Sequence, residues 1–220
     1  MALMLSDRYR FCIANHRAVL LDIRDGSYAC LPDDMDKAFR HLAEGGKGTP
    51  DVTRALQPLI EDEILVINCG GLGLADVPKI PTATSSLYDE VEHELSICPD
   101  ISRLAQRVLS EWAIDRRPLA KTLRHLNRPR RSPRRDLHDP TVQATLRAHL
   151  ATRRWLVTHD RCLPWSVSLV DVLRDRGAEV RLVIGVRTAP WAAHAWAEHE
   201  GTVLNDSLDN VSPYTPILAA

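Results

Sequence analysis

Cys162, His194 and Asp206, all in the last third of the chain, are the residue types of thiol-based acyl chemistry. A cysteine attacks a carbonyl as its thiolate, a histidine moves the proton, and a carboxylate holds the imidazole in one orientation. Cys162 stands in Arg161-Cys162-Leu163-Pro164, ahead of Ser166, Leu169, Val170 and Leu173 at helical spacing, with Gly177 as the natural C-cap. Pro164 fits the first turn of that helix, where its missing N–H costs nothing. A thiol at a helix start has its thiolate favoured by the dipole and by nearby peptide N–H groups. Cys12, Cys30, Cys69 and Cys98 have no such setting and read as small buried hydrophobes.

His194 and Asp206 need a sheet to bring them together. Glu179 to Arg187 alternates, with Val180, Leu182, Ile184 and Val186 on one face, and predicts a half-buried strand. His194 to Glu198 and Thr202 to Asp206 predict two more. A two-residue turn at Glu200-Gly201 would put His194 and Asp206 on opposite faces. A three-residue loop, His199-Glu200-Gly201 with Gly201 left-handed, pairs them on one face and is the expectation. Asp209, past the strand and near Pro213, ranks second as the carboxylate. His159 and His199 read as loop histidines. Trp196 shares the face of His194 and shields it from water, whereas Trp191 reads as a core or pocket wall. Arg187 reads first as a surface strand residue and second as a substrate contact.

The N-terminal third predicts a separate module. Ala18 to Ile23 and Ser27 to Leu31 form a hairpin across Arg24-Asp25-Gly26. A helix follows Pro32, carrying Met35, Ala38, Phe39 and Leu42, and ends at Gly45-Gly46. A second helix follows the Thr49-Pro50 cap with Val52, Leu56, Leu59 and Ile60, and leads into the strand Ile64 to Ile67. The pattern is a winged-helix-like module over residues 1–70, a linker over 71–95, and an α+β domain over 96–220 that carries the chemistry. Ile101 to Ile114 predicts a helix with Leu104, Val108, Leu109 and Trp112 as its apolar face. Residues 116–135 hold nine Lys or Arg and no acid. No aromatic residue interleaves with them, so a solvated surface segment is expected before a nucleic-acid patch.

Twenty-eight basic and 29 acidic residues among 220 give a net charge of −1, which favours neither nucleic acid nor an anionic membrane as partner. No apolar run approaches the roughly 20 residues that cross a bilayer, and the first ten residues lack a signal-peptide core. Five isolated cysteines without CxxC spacing fit neither a disulfide framework nor a zinc site. The expectation is a cytoplasmic protein that needs no metal and no organic cofactor.

The run Leu182-Val183-Ile184-Gly185-Val186-Arg187-Thr188, with Ala193 to Glu198, Asn205-Asp206 and Arg161-Cys162-Leu163, resembles the B proteins of lasso-peptide biosynthesis. These are transglutaminase-like, papain-like cysteine proteases that remove the leader from a lasso precursor. Ala18 to Pro32 resembles the PqqD-like leader-recognition module fused to this protease in the microcin-J25-type arrangement. The resemblance implies Cys162 as nucleophile, His194 as base and acid, and Asp206 as orienting carboxylate. It implies two partners, the leader of the precursor peptide and an asparagine-synthetase-like cyclase. The short segment Ser27 to Leu31 lies at the edge of its hairpin, so Tyr28, Ala29, Cys30 and Leu31 are expected to pair with an extended leader. Tyr28 and Cys30, backed by Asp51 to Leu59, would supply side-chain pockets. The sequence offers two evident helices after the hairpin, where the family's separate leader-binding proteins have three. Two other functions stay open: acyl transfer to an amine on the same triad, as in transglutaminases or arylamine acetyltransferases, and a non-catalytic winged-helix nucleic-acid binder.

Overall fold

Tight turns and apolar alternation organise the N-terminal third, which the computed structural model describes together with most of the remaining chain: residues 2–68, 74–77, 79–91, 101–156 and 161–220. The order is β1 (Ala2–Leu5), β2 (Tyr9–Ala14), β3 (Arg17–Asp22), β4 (Ser27–Cys30), α1 (Asp33–Ala43), α2 (Pro50–Ala55), α3 (Gln57–Glu61) and β5 (Leu65–Asn68). β2, β3 and β4 form an antiparallel sheet with β3 in the middle, while β1 pairs with β5. The two helices expected from the sequence are therefore three. Pro58 lacks an N–H and crowds the carbonyl of Arg54, so the second helix breaks at Leu56 and restarts at Gln57.

β3 is buried on both faces. Ala18 and Leu20 join Leu31, Phe39, Leu56 and Leu59 in a core under the helices. Val19 and Leu21 belong instead to the principal core, which they share with residues such as Leu169, Leu182 and Leu218. Buried Asp36 ties α1 to this sheet, accepting hydrogen bonds from the Ala18 N–H (2.7 Å) and from Arg40 Nε (2.9 Å).

The second part runs β6 (Ser85–Ser86), α4 (Leu87–Val91), α5 (Ile101–Asp115), α6 (Leu119–Leu126), α7 (Pro140–Ala151), α8 (Cys162–Asp175), β7 (Arg181–Thr188), β8 (Trp191–His199), β9 (Thr202–Val203), α9 (Leu208–Val211) and β10 (Thr215–Ala219). Its sheet has the order β10-β7-β8-β9-β6, antiparallel except for the parallel β6–β9 pair. α8 packs on β7 and β8. β7 is not half-buried as its alternation predicts. Leu182, Ile184 and Val186 face the principal core, and Val183 packs on the other side near Trp196, Val203 and Val211. The stretch read as linker contributes β6 and α4, and its Tyr88 reaches the principal core.

α5 turns its polar side inward. Val108, Leu109 and Trp112 are 46%, 68% and 58% exposed, while Arg107 and Glu111 are buried. The Arg107 guanidinium stacks on Trp165 at 3.7 Å, pairs with Glu111 Oε1 at 2.6 Å and donates to Thr152 Oγ1 at 2.7 Å. A guanidinium is tolerated in the interior only with such partners, and Glu111, Thr152 and Trp165 supply them. The basic segment differs too. α6 buries Leu119, Leu123 and Leu126. Arg128 and Arg130 reach Asp171 of α8 at 3.0 and 2.6 Å, and Arg135 reaches Asp139 at 2.9 Å. Within the described residues, no helix is long and apolar enough to cross a membrane.

All five tryptophans lie from residue 112 onward, so tryptophan fluorescence follows mainly the second part of the chain and the contact of Trp191 with Tyr28. Leu21, fully buried in the shared core, is the handle from the other side. Leu21→Ala should lower stability by about 2–5 kcal/mol and move the fluorescence midpoint in urea by that amount. A fluorescence midpoint unmoved by the substitution would mean that the two parts unfold independently.

Candidate active site

Cys162 is the first residue of α8, with Arg161 as N-cap, and Gly177 past the helix end adopts the left-handed conformation expected of it. The apolar spacing after Cys162 buries Ser166, Leu169, Val170 and Leu173, so the sulfur sits one turn ahead of a fixed, buried face. His194 lies on β8 opposite Gly185 of β7. Its Nε2 lies 2.8 Å from Asp206 Oδ2, which leaves Nδ1 for the thiol.

The route by which Asp206 gets there is not the expected one. His199 pairs with Thr202 and Glu198 with Val203, so the connection is a two-residue turn. Glu200 and Gly201 both have positive φ, 46° and 84°, the combination of a type I′ hairpin. Continued as a regular strand, that register would carry Asp206 to the wrong face. β9 instead stops at Val203, and residues 204–206 bend away from the ladder. Asn205 replaces the missing strand: its Oδ1 accepts the Ala197 N–H at 2.8 Å, and its Nδ2 donates to Ser166 Oγ at 2.9 Å. Ser166 Oγ in turn donates to the Ala195 carbonyl at 2.9 Å. The bend delivers Asp206 to His194.

Asp206 is held at both oxygens. Oδ1 accepts from the Ser207 N–H and from Asn210 Nδ2, each at 2.9 Å, with Arg153 Nη1 3.9 Å away. The imidazole lies near two aromatic rings, Trp196 at 6.2 Å and Tyr214 at 5.2 Å between centroids. Gly185 makes room for them, since a Cβ there would stand 2.8 Å from Trp196 and 2.9 Å from Tyr214. Trp196 thus occupies the shielding position read from the sequence. Asn205, Ser166 and Tyr214 were missed; the Asn directly before Asp206 was their one visible signal.

The electrostatics favour a charged pair. Burial works against ionising the Cys162 thiol, yet the hydrogen bond and charge of His194 and the N–H groups of Ala195 and Leu163 bring it below the ordinary thiol value. Burial likewise opposes the imidazolium, but hydrogen bonds to Asp206 and Cys162 push His194 up to about 9. Burial is outweighed at Asp206 as well, where His194 and Asn210 hold the carboxyl below its usual range. Above the lowered thiol pKa and below about 9, the site therefore holds thiolate and imidazolium, the reactive state of a cysteine nucleophile.

The other named residues fall in several places. Asp209 is exposed at the start of α9, and His199 ends β8 with Nδ1 against the Glu179 carbonyl. His159, Cys69 and Cys98 lie outside the described residues. Cys12 is buried, but Cys30, the last residue of β4, is exposed. Among the described residues β4 pairs with β3 alone, and the N-terminal strand pairs with β5. Leu31 is buried under the helices and Ala29 is exposed. Tyr28 points away from Asp51 to Leu59, contrary to the pocket expected there. Its ring meets Trp191 of β8 edge-on at 5.7 Å, and burial pushes its hydroxyl up to about 12.

The helix-start thiol facing an imidazole–carboxylate pair on an antiparallel sheet defines a class. A model described as the transglutaminase-like superfamily matches residues 105–219, and the chain belongs to that superfamily. Membership points to a cysteine-based enzyme. Over 46 residues the chain is 46% identical to the Microcin J25-processing protein McjB of Escherichia coli. That stretch covers 21% of this chain and 22% of the relative, about a fifth of its length. No solved structure matches the chain.

Alkylation by iodoacetamide, read peptide by peptide in a mass spectrometer, checks the charged pair. Cys162 should react as a thiolate at pH values below the ordinary thiol range, and Asp206→Asn should move that limb upward. A Cys162 limb no lower than that of an unfolded cysteine peptide would refute the ion pair.

Proposed function

We propose that this chain is a leader peptidase of lasso-peptide biosynthesis, freeing the amine of the core peptide by Cys162-His194-Asp206 catalysis. The observation that carries the reading is the 2.8 Å His194–Asp206 contact beside a thiol at a helix start. Supporting it are the transglutaminase-like assignment and the short match to a protein named for processing microcin J25.

The chemistry follows from the residues. The Cys162 thiolate attacks the carbonyl carbon at the leader–core junction. As first residue of α8, Cys162 has a backbone N–H without an intrahelical acceptor, and it donates to the developing oxyanion. The imidazolium of His194 gives its proton to the departing core amine as the C–N bond breaks. His194, now neutral, takes a proton from water as that water attacks the thioester. The leader leaves as a carboxylic acid and the thiolate–imidazolium pair returns. Each step uses only protein groups and water. The freed amine passes to an asparagine-synthetase-like cyclase, the second partner, in the cytoplasm.

Recognition belongs to the other end of the chain. An extended leader pairs its main chain with the open edge of β4 along Tyr28, Ala29, Cys30 and Leu31, so that backbone bonds give affinity. The contact of Tyr28 with Trp191 supports delivery of the leader towards the β8 side of the cleft.

Mass spectrometry of a lasso precursor peptide, incubated with this protein and a cyclase, is the test. Cleavage should fall by several orders of magnitude in Cys162→Ala and decline as pH rises through about 9, where His194 loses its proton. Normal cleavage by Cys162→Ala refutes the assignment. Leader found joined to an added primary amine, with no free acid, would make the enzyme a transferase.

A further inference from the structure

Withdrawn arginines in this protein find acceptors, Arg174 in the carbonyls of Val180 and Leu126 and others in carboxylates. Arg130 pairs with Asp171, and Arg107 pairs with Glu111. Arg181 lies on β7 directly across from Glu198 of β8, and the two pair there. Six residues further along the same strand, and on the same face by the two-residue period, stands Arg187. The residue across from it is Ala192, which offers no charge. The Arg187 Nε is sealed from solvent and has no hydrogen-bond partner. The guanidinium lies over the Tyr214 ring, 5.2 Å from its centroid, and none of the acids among the described residues is in salt-bridge range of it.

A cation half withdrawn from water without a counter-charge is costly, and the part of the side chain still open to solvent, not the sealed Nε, is where an anion reaches it. The fold shows on the same strand how it would complete one, with a glutamate opposite, and at this position it places alanine. Arg187 also faces the chemistry. It shares its face of the sheet with His194, and Tyr214 lies between them, in contact with each. The Tyr214 ring centroid is 5.2 Å from the imidazole as well. Those two legs bound the guanidinium–imidazole separation at about 10 Å, and an extended peptide advances about 3.3 Å per residue, so at most about three residues span it. A planar guanidinium matches the two oxygens of a carboxylate better than any other peptide group.

We propose that Arg187 is a carboxylate subsite of the cleft, which selects peptides carrying Asp or Glu within about three residues of the bond at Cys162. This rests on the peptidase reading for its substrate class, a peptide, and adds a specificity that the triad does not supply. Arg187 holds the acidic side chain, and Tyr214 fixes the guanidinium plane while walling His194.

Decapeptide libraries in which one position at a time is Asp or Asn provide the probe. Affinity is measured on the Cys162→Ala protein and kcat/KM on the active one. At one position near the cleaved bond, Asp should be favoured over Asn by roughly 10- to 100-fold, the range for a hydrogen bond to a charged group. The ratio should collapse to near one in Arg187→Gln. In Arg187→Glu it should be replaced by a preference for Lys at that position. Because each variant is judged by its own Asp-to-Asn ratio, a general loss of activity does not imitate the result. The proposal is overturned if no Asp peptide outbinds its Asn twin, or if the preference survives in Arg187→Gln. Binding preference without any cleavage would sink the peptidase reading and leave the subsite standing.

Discussion

The buried side-chain amide of Asn205 is the point on which the site turns. Asn205 and Ser166 are 1% and 0% exposed, and their hydrogen bonds join three separate segments: the start of α8, the middle of β8 and the bend after β9. Each candidate catalytic residue is a near neighbour of one member of this network. Cys162 precedes Ser166 by one helical turn, His194 precedes Ala195, and Asp206 follows Asn205. A displacement of any one segment leaves a buried donor or acceptor without its partner, at a cost of about 1–3 kcal/mol for each group so stranded. The relative placement of the three side chains therefore inherits the stiffness of a satisfied polar core.

The same amide resolves a conflict in the sheet. A type I′ turn is the tightest join for β8 and β9 and matches their twist, but its register sends Asp206 to the wrong face. Ending β9 after two residues removes the conflict and exposes an edge of β8. Asn205 caps the Ala197 N–H, the Leu204 N–H returns to the Ala197 carbonyl, and Ser166 takes the carbonyl of Ala195. The N–H of Ala195 is then left to face the sulfur of Cys162. The edge that a longer strand would have covered becomes the floor on which the nucleophile helix lands. Gly185 extends this logic to the opposite side of β8, where any side chain would displace the rings beside His194.

Local signals carried β3, β4, β5, β7 and β8 and the starts of α1, α2 and α8, because each is written in spacing of two, three or four residues. Helix α8 was legible from Cys162 to Gly177 for this reason. What failed was decided over long sequence distances. The turn at Glu200-Gly201 was misjudged because the correct face for Asp206 depends on a bond between residues 39 positions apart, Ser166 and Asn205. The inward side of α5 was misjudged because Arg107 owes its burial to Trp165, Thr152 and Glu111, two of them far along the chain. Hydrophobic periodicity ranks a buried arginine as impossible unless its partners are known. The break at Pro58 was local and readable, and was passed over because the apolar stripe runs through it.

The placement of the N-terminal sheet bears on how a leader-binding edge would serve a thiol far along the chain. A recognition module on a flexible tether raises the local concentration of its cargo but leaves the register of the cargo free. Here Cys12, Val19 and Leu21 sit in the same core as α8 and β7, and Tyr28 of the edge strand rests on Trp191 of the strand that carries His194. Sliding this sheet would expose those side chains, at about 25 cal/mol for each Å² of apolar surface returned to water. An extended peptide paired with β4 would consequently enter the cleft with both its direction and its residue count constrained, since strand pairing proceeds in steps of two residues. On the proposed function, the cleaved bond would then be chosen by counting from the docked segment, and the cleft itself would need only a few contacts near Cys162.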